Sequence, residues 1–146
     1  MIRFAAAEDA EQLFELNRQF NGPEAASRDS VRQALESGGR ELVVVAEEAG
    51  SLLGFVCVQI KRSFCYAEAY AEITEVFVKE EARRQGLAGK MIEFAEDFCS
   101  SREQIRSFEL HTGGDNLGAQ ALYCSLGYGT EGEVLFRKRL PAPHGK

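Results

Sequence analysis

The sequence predicts a single-domain α/β fold: a mixed, mostly antiparallel sheet with helices on both faces. Three observations lead there. Apolar spacing switches repeatedly between the helical and the strand period. Tight turns join the strands in the middle of the chain, which makes antiparallel neighbours. The C-terminal part alternates strand with helix, which calls for parallel ones. The predicted order is β-α-α-β-β-β-α-β-α-β.

"MIRFA" opens the chain as a strand. From Glu8 the spacing becomes helical, with Leu13, Leu16 and Phe20 on one face and Asp9 in the first turn; "NGP" at 21–23 ends it. A shorter helix from Ser27 should bury Val31, Ala34 and Leu35, with "SGG" at 37–39 as its stop. "ELVVVAEE" is a continuous β-branched run, fit for a strand covered on both faces. "AGS" turns it into its hairpin partner, "LLGFVCVQIKR", and the irregular "SFCYAEA" leads to the strand "YAEITEVFV", 70–78. After "KEEARR" a strong helix runs from about Gln85 to Ser101, with Leu87, Met91, Phe94 or Ala95, and Phe98 on its buried stripe. "IRSFELHT" is a strand and "GGDN" a turn ending in a good N-cap residue. A helix over 117–126 follows, burying Ala119, Leu122, Tyr123 and Leu126 and capped by Gly127. "EVLFRKRL" closes the sheet as a last strand.

The 146 residues fit one domain over 1–140 and a short tail, 141–146. Net charge is −6 and the pI about 5.0, which argues against a nucleic-acid partner. The same acidity suits solubility, and it suits a cationic substrate. The apolar runs are strand-sized, so no membrane span is expected. The N-terminal stretch lacks the apolar region of a leader, and a cytoplasmic protein is expected. Cys57, Cys65, Cys99 and Cys124 show no CxxC spacing, and His111 and His144 do not neighbour them. Reduced thiols are expected, Cys57 and Cys99 in the core, and no metal.

"ARRQGLAGKM", residues 82–91, places positive charge and two glycines where a helix begins. The first amides of a helix have no partner within it, and its dipole adds partial positive charge there. Gly86 and Gly89 leave room for close approach to the amides of 85–89, and Arg83, Arg84 and Lys90 add charge at the rim. The stretch is neither a P-loop nor a GxGxxG fingerprint. It reads either as a cradle for a di- or polyphosphate or as a glycine-containing loop with solvated arginines.

"RRQGLA" (Arg83 to Ala88) resembles the acetyl-CoA signature [R/Q]-x-x-G-x-[G/A] of the GNAT superfamily of acyl-CoA-dependent N-acetyltransferases. "NLGAQALYCSLGY" resembles that family's second signature, with Asn116, Ala119, Tyr123, Gly127 and Tyr128 in place. The two stand in the family's order with one strand between them, and the resemblance covers nearly the whole chain. Two positions depart from the pattern. "VKEEA" replaces an acidic-proline pair, and Ser125 stands where a basic residue is common, which leaves the adenosine 3′-phosphate without an assigned contact.

The resemblance implies an acetyltransferase using acetyl-CoA. Its cofactor-binding residues would be Val76, Phe77 and Val78, Arg83 through Lys90 (Arg83, Arg84, Gln85, Gly86, Leu87, Ala88, Gly89, Lys90), Asn116 and Ala119. Moving an acetyl group to an amine requires a neutral amine, which for a lysine-like group is only about one part in a thousand near pH 7. It also requires a stabilised carbonyl oxygen and a proton for the departing thiolate. For the base, Glu72 occupies the place of a catalytic glutamate in the histone-type branch. Glu75 competes with it, and water or His111 are the other options. Residues three apart on a strand face opposite ways, so only one of the two acids should reach the site unless a bulge intervenes. Tyr123 is the candidate acid, and Val76, Phe77 and Val78 would offer main chain to the pantetheine arm. Asn116 would cap its helix and bond the same arm.

The acceptor would be a primary amine of a small molecule or peptide. Glu68, Glu72 and Glu75 favour a cationic one, with the first two helices and the aromatic stretch 61–70 building its side of the site. A non-catalytic acyl-CoA sensor or interaction domain of the same fold is the alternative. The last strand offers an edge for a homodimer.

Overall fold

The computed structural model describes residues 1–39 and 41–143, so the end of the expected tail, 144–146, lies outside the described residues. A five-stranded sheet runs in the order β1-β2-β3-β4-β5, comprising β1 (Ile2–Phe4), β2 (Glu41–Glu48), β3 (Ser51–Lys61), β4 (Tyr70–Val78) and β5 (Phe108–Leu110). The first four are antiparallel neighbours, and β5 joins β4 in parallel. The helices are α1 (Ala10–Asn21), α2 (Arg28–Glu36), α3 (Leu87–Glu103) and α4 (Leu117–Ser125).

Alternation along β2 and β3 divides the core in two, because successive side chains leave opposite faces of a strand. Val44, Ala46, Val56, Val58, Ala71 and Ile73 pack under Met91, Ile92, Ala95 and Cys99 of α3. Val45, Phe55, Cys57 and Phe77 pack on the other face under Leu13 and Leu16 of α1. Met91 and Ala95 of the expected α3 stripe are buried; Phe94 and Phe98 sit half-buried, edge-on to Phe4 at 5.1 and 4.9 Å. Cys57 and Cys99 are buried thiols, as expected. Phe20 stacks on Phe77 with ring centroids 5.0 Å apart.

Arg3 ties the N-terminal strand down. Its guanidinium donates to both oxygens of Asp9, at 2.8 and 3.0 Å, and to Glu47 at 2.8 Å. The Ala6 amide donates to the same Asp9 carboxylate at 2.7 Å. These contacts hold the Asp9 carboxyl below the usual range, the bond from Arg3 being the main cause.

Three expectations need correction. The last strand, 133–140, is not one: Val134, Leu135, Phe136 and Leu140 stand exposed, and the segment lies outside the sheet. Its apolar run Val134, Leu135 and Phe136 has strand propensity, but a strand requires a neighbouring edge, and this segment has not reached one. β5 shrinks from the predicted 105–112 to three residues, because β4 diverges from it after Ile73. Ala34 is exposed rather than buried, since α2 meets the sheet only through half-buried Val31 and Leu35 and leaves a cavity beneath it.

Candidate active site

β4 carries one extra residue. Cys57 pairs with Glu75 and Val58 with Ile73, so Thr74 has no opposite number on β3; its hydroxyl donates to the Cys57 carbonyl at 3.3 Å. This is a β-bulge, which bends a strand and shifts its alternation. Two consequences follow. Glu72 lies opposite Gln59 and Glu75 opposite Cys57, so the two acids share the α1–α2 face although they are three residues apart. Main-chain direction shifts too. The Ala71 amide donates across to Ser107 in the parallel ladder, and beyond the bulge the Lys79 amide turns to Leu53 of β3. By alternation, the N–H and C=O of Val76 and Val78 then point away from β3, while those of Phe77 point into the sheet. β5 pairs only as far as Ile73, so Val76 and the Val78 N–H face an open gap, while the Val78 carbonyl meets Arg83.

Just beyond, a 3₁₀ turn (Glu80–Ala82) leads to the start of α3. Arg84 and Gly86 both adopt the left-handed conformation, at φ +69° and +74°. No side chain caps α3, and among the described residues the first amide of this turn to find a carbonyl is that of Lys90, bonded to Gly86 at 3.1 Å. The amides of 85–89 are therefore free to meet an anion, with the helix dipole behind them. Gly86 has no atom within 4 Å of where a Cβ would stand, so its surroundings are open and its conformation is what demands glycine. These features fit the diphosphate of a coenzyme A group. Arg83 is partly engaged already: its Nε donates to the Val78 carbonyl at 2.7 Å and its guanidinium lies 5.7 Å from the Phe77 ring centre. That contact fixes the turn against the end of β4.

The two glutamates differ in environment. Glu72 forms an ion pair with Lys61, and its other oxygen lies 3.3 Å from His111 Nδ1. The bond from Lys61 is the main reason its carboxyl sits below the usual range. Glu75 makes no side-chain hydrogen bond among the described residues. Burial, and then the charge of Glu41, push its carboxyl upward. Both Glu41 and Glu75 line a cavity of about 280 Å³ between the sheet and α1–α2, floored by Val43, Phe55 and Cys57 and edged by Asn17. Phe64 and Tyr66 of the 61–70 stretch stand exposed and do not line it. A wider depression of about 620 Å³ opens elsewhere, near Ile105 and Phe108; it takes in Glu68, away from Glu72 and Glu75, and none of the predicted catalytic or cofactor-binding residues.

α4 begins at Asn116, whose side chain accepts from the Ala119 amide at 3.1 Å. It ends with Gly127 at φ +99° and a Tyr128 amide bonded back to the Tyr123 carbonyl at 3.0 Å. Tyr123 is half-buried on this helix; burial raises its hydroxyl, which has no hydrogen-bond partner among the described residues. Tyr128, by contrast, donates to Glu96 of α3 at 2.6 Å. Sequence reasoning missed Glu41 and Asn17, which belong to no motif, and missed the bulge, which has no composition signal.

Residues 7–128 match the sequence model of the Acetyltransferase (GNAT) family. No curated protein matches the chain by sequence. Solved structures share its fold at low identity. One is a ribosomal-protein-alanine N-acetyltransferase from Brucella melitensis biovar Abortus 2308, 15% identical, TM-score 0.81, covering 95% of this chain and 99% of its own. Another is an aminoglycoside acetyltransferase from an uncultured soil metagenomic sample, 18% identical, TM-score 0.83, covering 97% and 96%. A third is AAC(6')-Iy in complex with a bisubstrate analogue, CoA-S-monomethyl-acetylneamine, 19% identical, TM-score 0.82, covering 96% and 98%. Among the described residues no helix is long and apolar enough to cross a membrane. With the family match spanning most of its length and this fold beneath it, the chain belongs to the GNAT acetyltransferase family.

Proposed function

We propose that this chain transfers an acetyl group from acetyl-CoA to a primary amine on a cationic small molecule or peptide, by direct attack of the amine. The observation that carries the reading is the outward main chain of Val76 and Val78 beside the unpartnered amides of 85–89. Acetyl-CoA, when bound, supplies the acetyl thioester. The amides of Gln85 to Gly89 hold its diphosphate, aided by Arg84 and Lys90. Val76 and Val78 pair with its amide arm, Asn116 adds a side-chain amide, and Ala119 keeps that helix face small.

Glu75 is the base in this reading. It faces the cavity, has no side-chain partner among the described residues, and has a carboxyl raised by burial and then by the charge of Glu41, the direction that suits a general base. Glu72, neutralised by Lys61, orients His111 instead. Tyr123 returns a proton to the departing thiolate. Glu41 and Glu75 on one cavity favour an acceptor with a second positive charge. A bisubstrate-analogue complex of AAC(6')-Iy lends the cosubstrate support at fold level only.

Calorimetry with coenzyme A, and thiol release from acetyl-CoA with neutral, monocationic and dicationic amines, test the proposal. Uptake of coenzyme A and faster release with dications are expected. Absence of uptake would refute the reading, and uptake without release by any amine would point to a sensor.

A further inference from the structure

We infer that the acceptor, on the reading proposed above, is a compact diamine that also carries a neutral oxygen, and that Asn17 reads that oxygen. The inference rests on the unequal walls of the cavity between the sheet and α1–α2. Its strand side presents Glu41 and Glu75, which when ionised can only accept hydrogen bonds. Val43, Cys57 and Glu75 lie side by side across β2, β3 and β4, and Glu41 stands two residues away from Val43 on β2. The two acids are thus carried by backbones roughly 10 Å apart and offer two separate seats. The helix side differs. Asn17 and Asn21 sit one turn apart on α1, and Asn21 Nδ2 donates to Asn17 Oδ1 at 2.7 Å. That bond fixes how the Asn17 amide is turned, and its two amide hydrogens have no partner among the described residues. The cavity therefore meets acceptors on the strands and a donor on the helix, with the apolar Val43 and Phe55 between them.

These walls limit the acceptor in three ways. A volume of about 280 Å³ equals roughly nine water-sized groups, so the acceptor is small. A peptide segment exceeds that volume, and a lysine side chain alone would bring one amine and no oxygen. The choice between small molecule and peptide therefore falls to the small molecule. Two carboxylates in separate seats call for two ammonium groups, one of which loses its proton to Glu75 and attacks, while the other stays charged at Glu41. The methylenes between them lie on the apolar floor. The Asn17 amide calls for an oxygen, and the oxygen must be neutral. Among the described residues the lining holds no lysine, arginine or histidine, so a carboxylate there would add a third negative charge without a counter-ion. A hydroxyl meets the requirement. Asn17 is then a specificity-determining residue, and Asn21 is the positioning residue that holds its amide in place.

The test is calorimetry of the full chain with three probes, and thiol release from acetyl-CoA with each. The probes are diaminopropane with its amines on the end carbons, the same diamine with a hydroxyl on the central carbon, and the same diamine with a carboxylate there. The alcohol should bind up to about tenfold more tightly than the plain diamine, the worth of one well-placed hydrogen bond. The carboxylate should bind at least about tenfold more weakly than the plain diamine. Asn17→Leu should bring the ratio of alcohol to plain diamine to about one. Asn17 is half-exposed on a helix and leucine is a good helix former, so the circular dichroism should stay that of wild type. Asn21→Ala, which frees the Asn17 amide to turn, should lower the same ratio part of the way. A wild-type ratio near one would overturn the inference. So would a ratio unmoved by Asn17→Leu, a carboxylate bound as well as the alcohol, or no binding of any probe. Asn17-dependent binding without thiol release would uphold this recognition and count against the transfer reading. Release with all three probes alike would uphold the transfer reading and overturn the recognition.

Discussion

Tyr123→Phe separates chemistry from packing. The ring of Tyr123 packs half-buried against the α3-side core and meets Tyr128 edge-on at 6.5 Å, and phenylalanine keeps those contacts. The lost hydroxyl has no hydrogen-bond partner among the described residues, so no bond is broken and stability should stay within about 0.5 kcal/mol of wild type. If the hydroxyl protonates the leaving thiolate, kcat should fall by ~10²–10⁴, equivalent to about 2.7–5.4 kcal/mol of barrier. The affinity for coenzyme A should hardly move. Tyr128→Phe provides the converse, since it deletes a 2.6 Å hydrogen bond to Glu96 that ties the chain just past α4 to α3. That should cost about 1.5–3 kcal/mol and leave kcat within a small factor. Urea denaturation and steady-state thiol release on both variants give the comparison. A Tyr123→Phe enzyme at full rate would refute the assignment, as would a rate loss that follows Tyr128→Phe instead.

Gly86→Ala places a Cβ on a residue held at φ +74° and should cost about 1–2 kcal/mol by urea denaturation, with coenzyme A affinity falling alongside it by calorimetry. Glu41→Gln removes a charge that raises the Glu75 carboxyl, so the acid limb of kcat/KM should move to lower pH; an unmoved limb would show that Glu75 is not the titrating base. Asp9→Asn should destabilise by about 1.5–3 kcal/mol at pH 7. Because Arg3 depresses the Asp9 carboxyl in the folded state, that stabilisation is complete above the unfolded carboxyl's range. It is lost as pH falls through the folded value, so the gap between variant and wild type should close in acid urea titrations.

Much of the architecture was legible because it depends on local period. The β-branched run 43–45, the helical spacing of Met91 and Ala95, and the cap at Asn116 each declare an element without reference to distant residues. Pairing is another matter. "EVLFRKRL" has the β-branched and aromatic residues of a strand, but whether it becomes one is decided by which edge is in reach, and no local property encodes that. The two glutamates failed as a sequence problem for a related reason. Strict alternation puts Glu72 and Glu75 on opposite faces, and only the pairing of Cys57 with Glu75 and Val58 with Ile73 reveals the extra residue that brings them together. Ala34 looked like a core residue by spacing, and it is exposed because α2 stands away from the sheet over the cavity.

Thr74 therefore joins the two halves of the site. It is the extra residue, and it stands where β4 stops pairing with β5. A bulge bends its strand and increases local twist, so the divergence that exposes Val76 and Val78 begins at its cause. Deleting Thr74 distinguishes this from a splay imposed by the turn at 80–86. Without it, Glu75 follows Ile73 directly and ordinary alternation resumes: Glu75 still faces α1–α2, Val76 still faces α3, and the main chain of Val76 still points from β3. The domain should fold with equal or greater resistance to urea. The strand should also straighten toward β5 and close the gap, lowering affinity for coenzyme A at least about tenfold, or 1.4 kcal/mol. Calorimetry showing undiminished affinity in the deleted chain would place the origin of the gap in the turn rather than in the bulge.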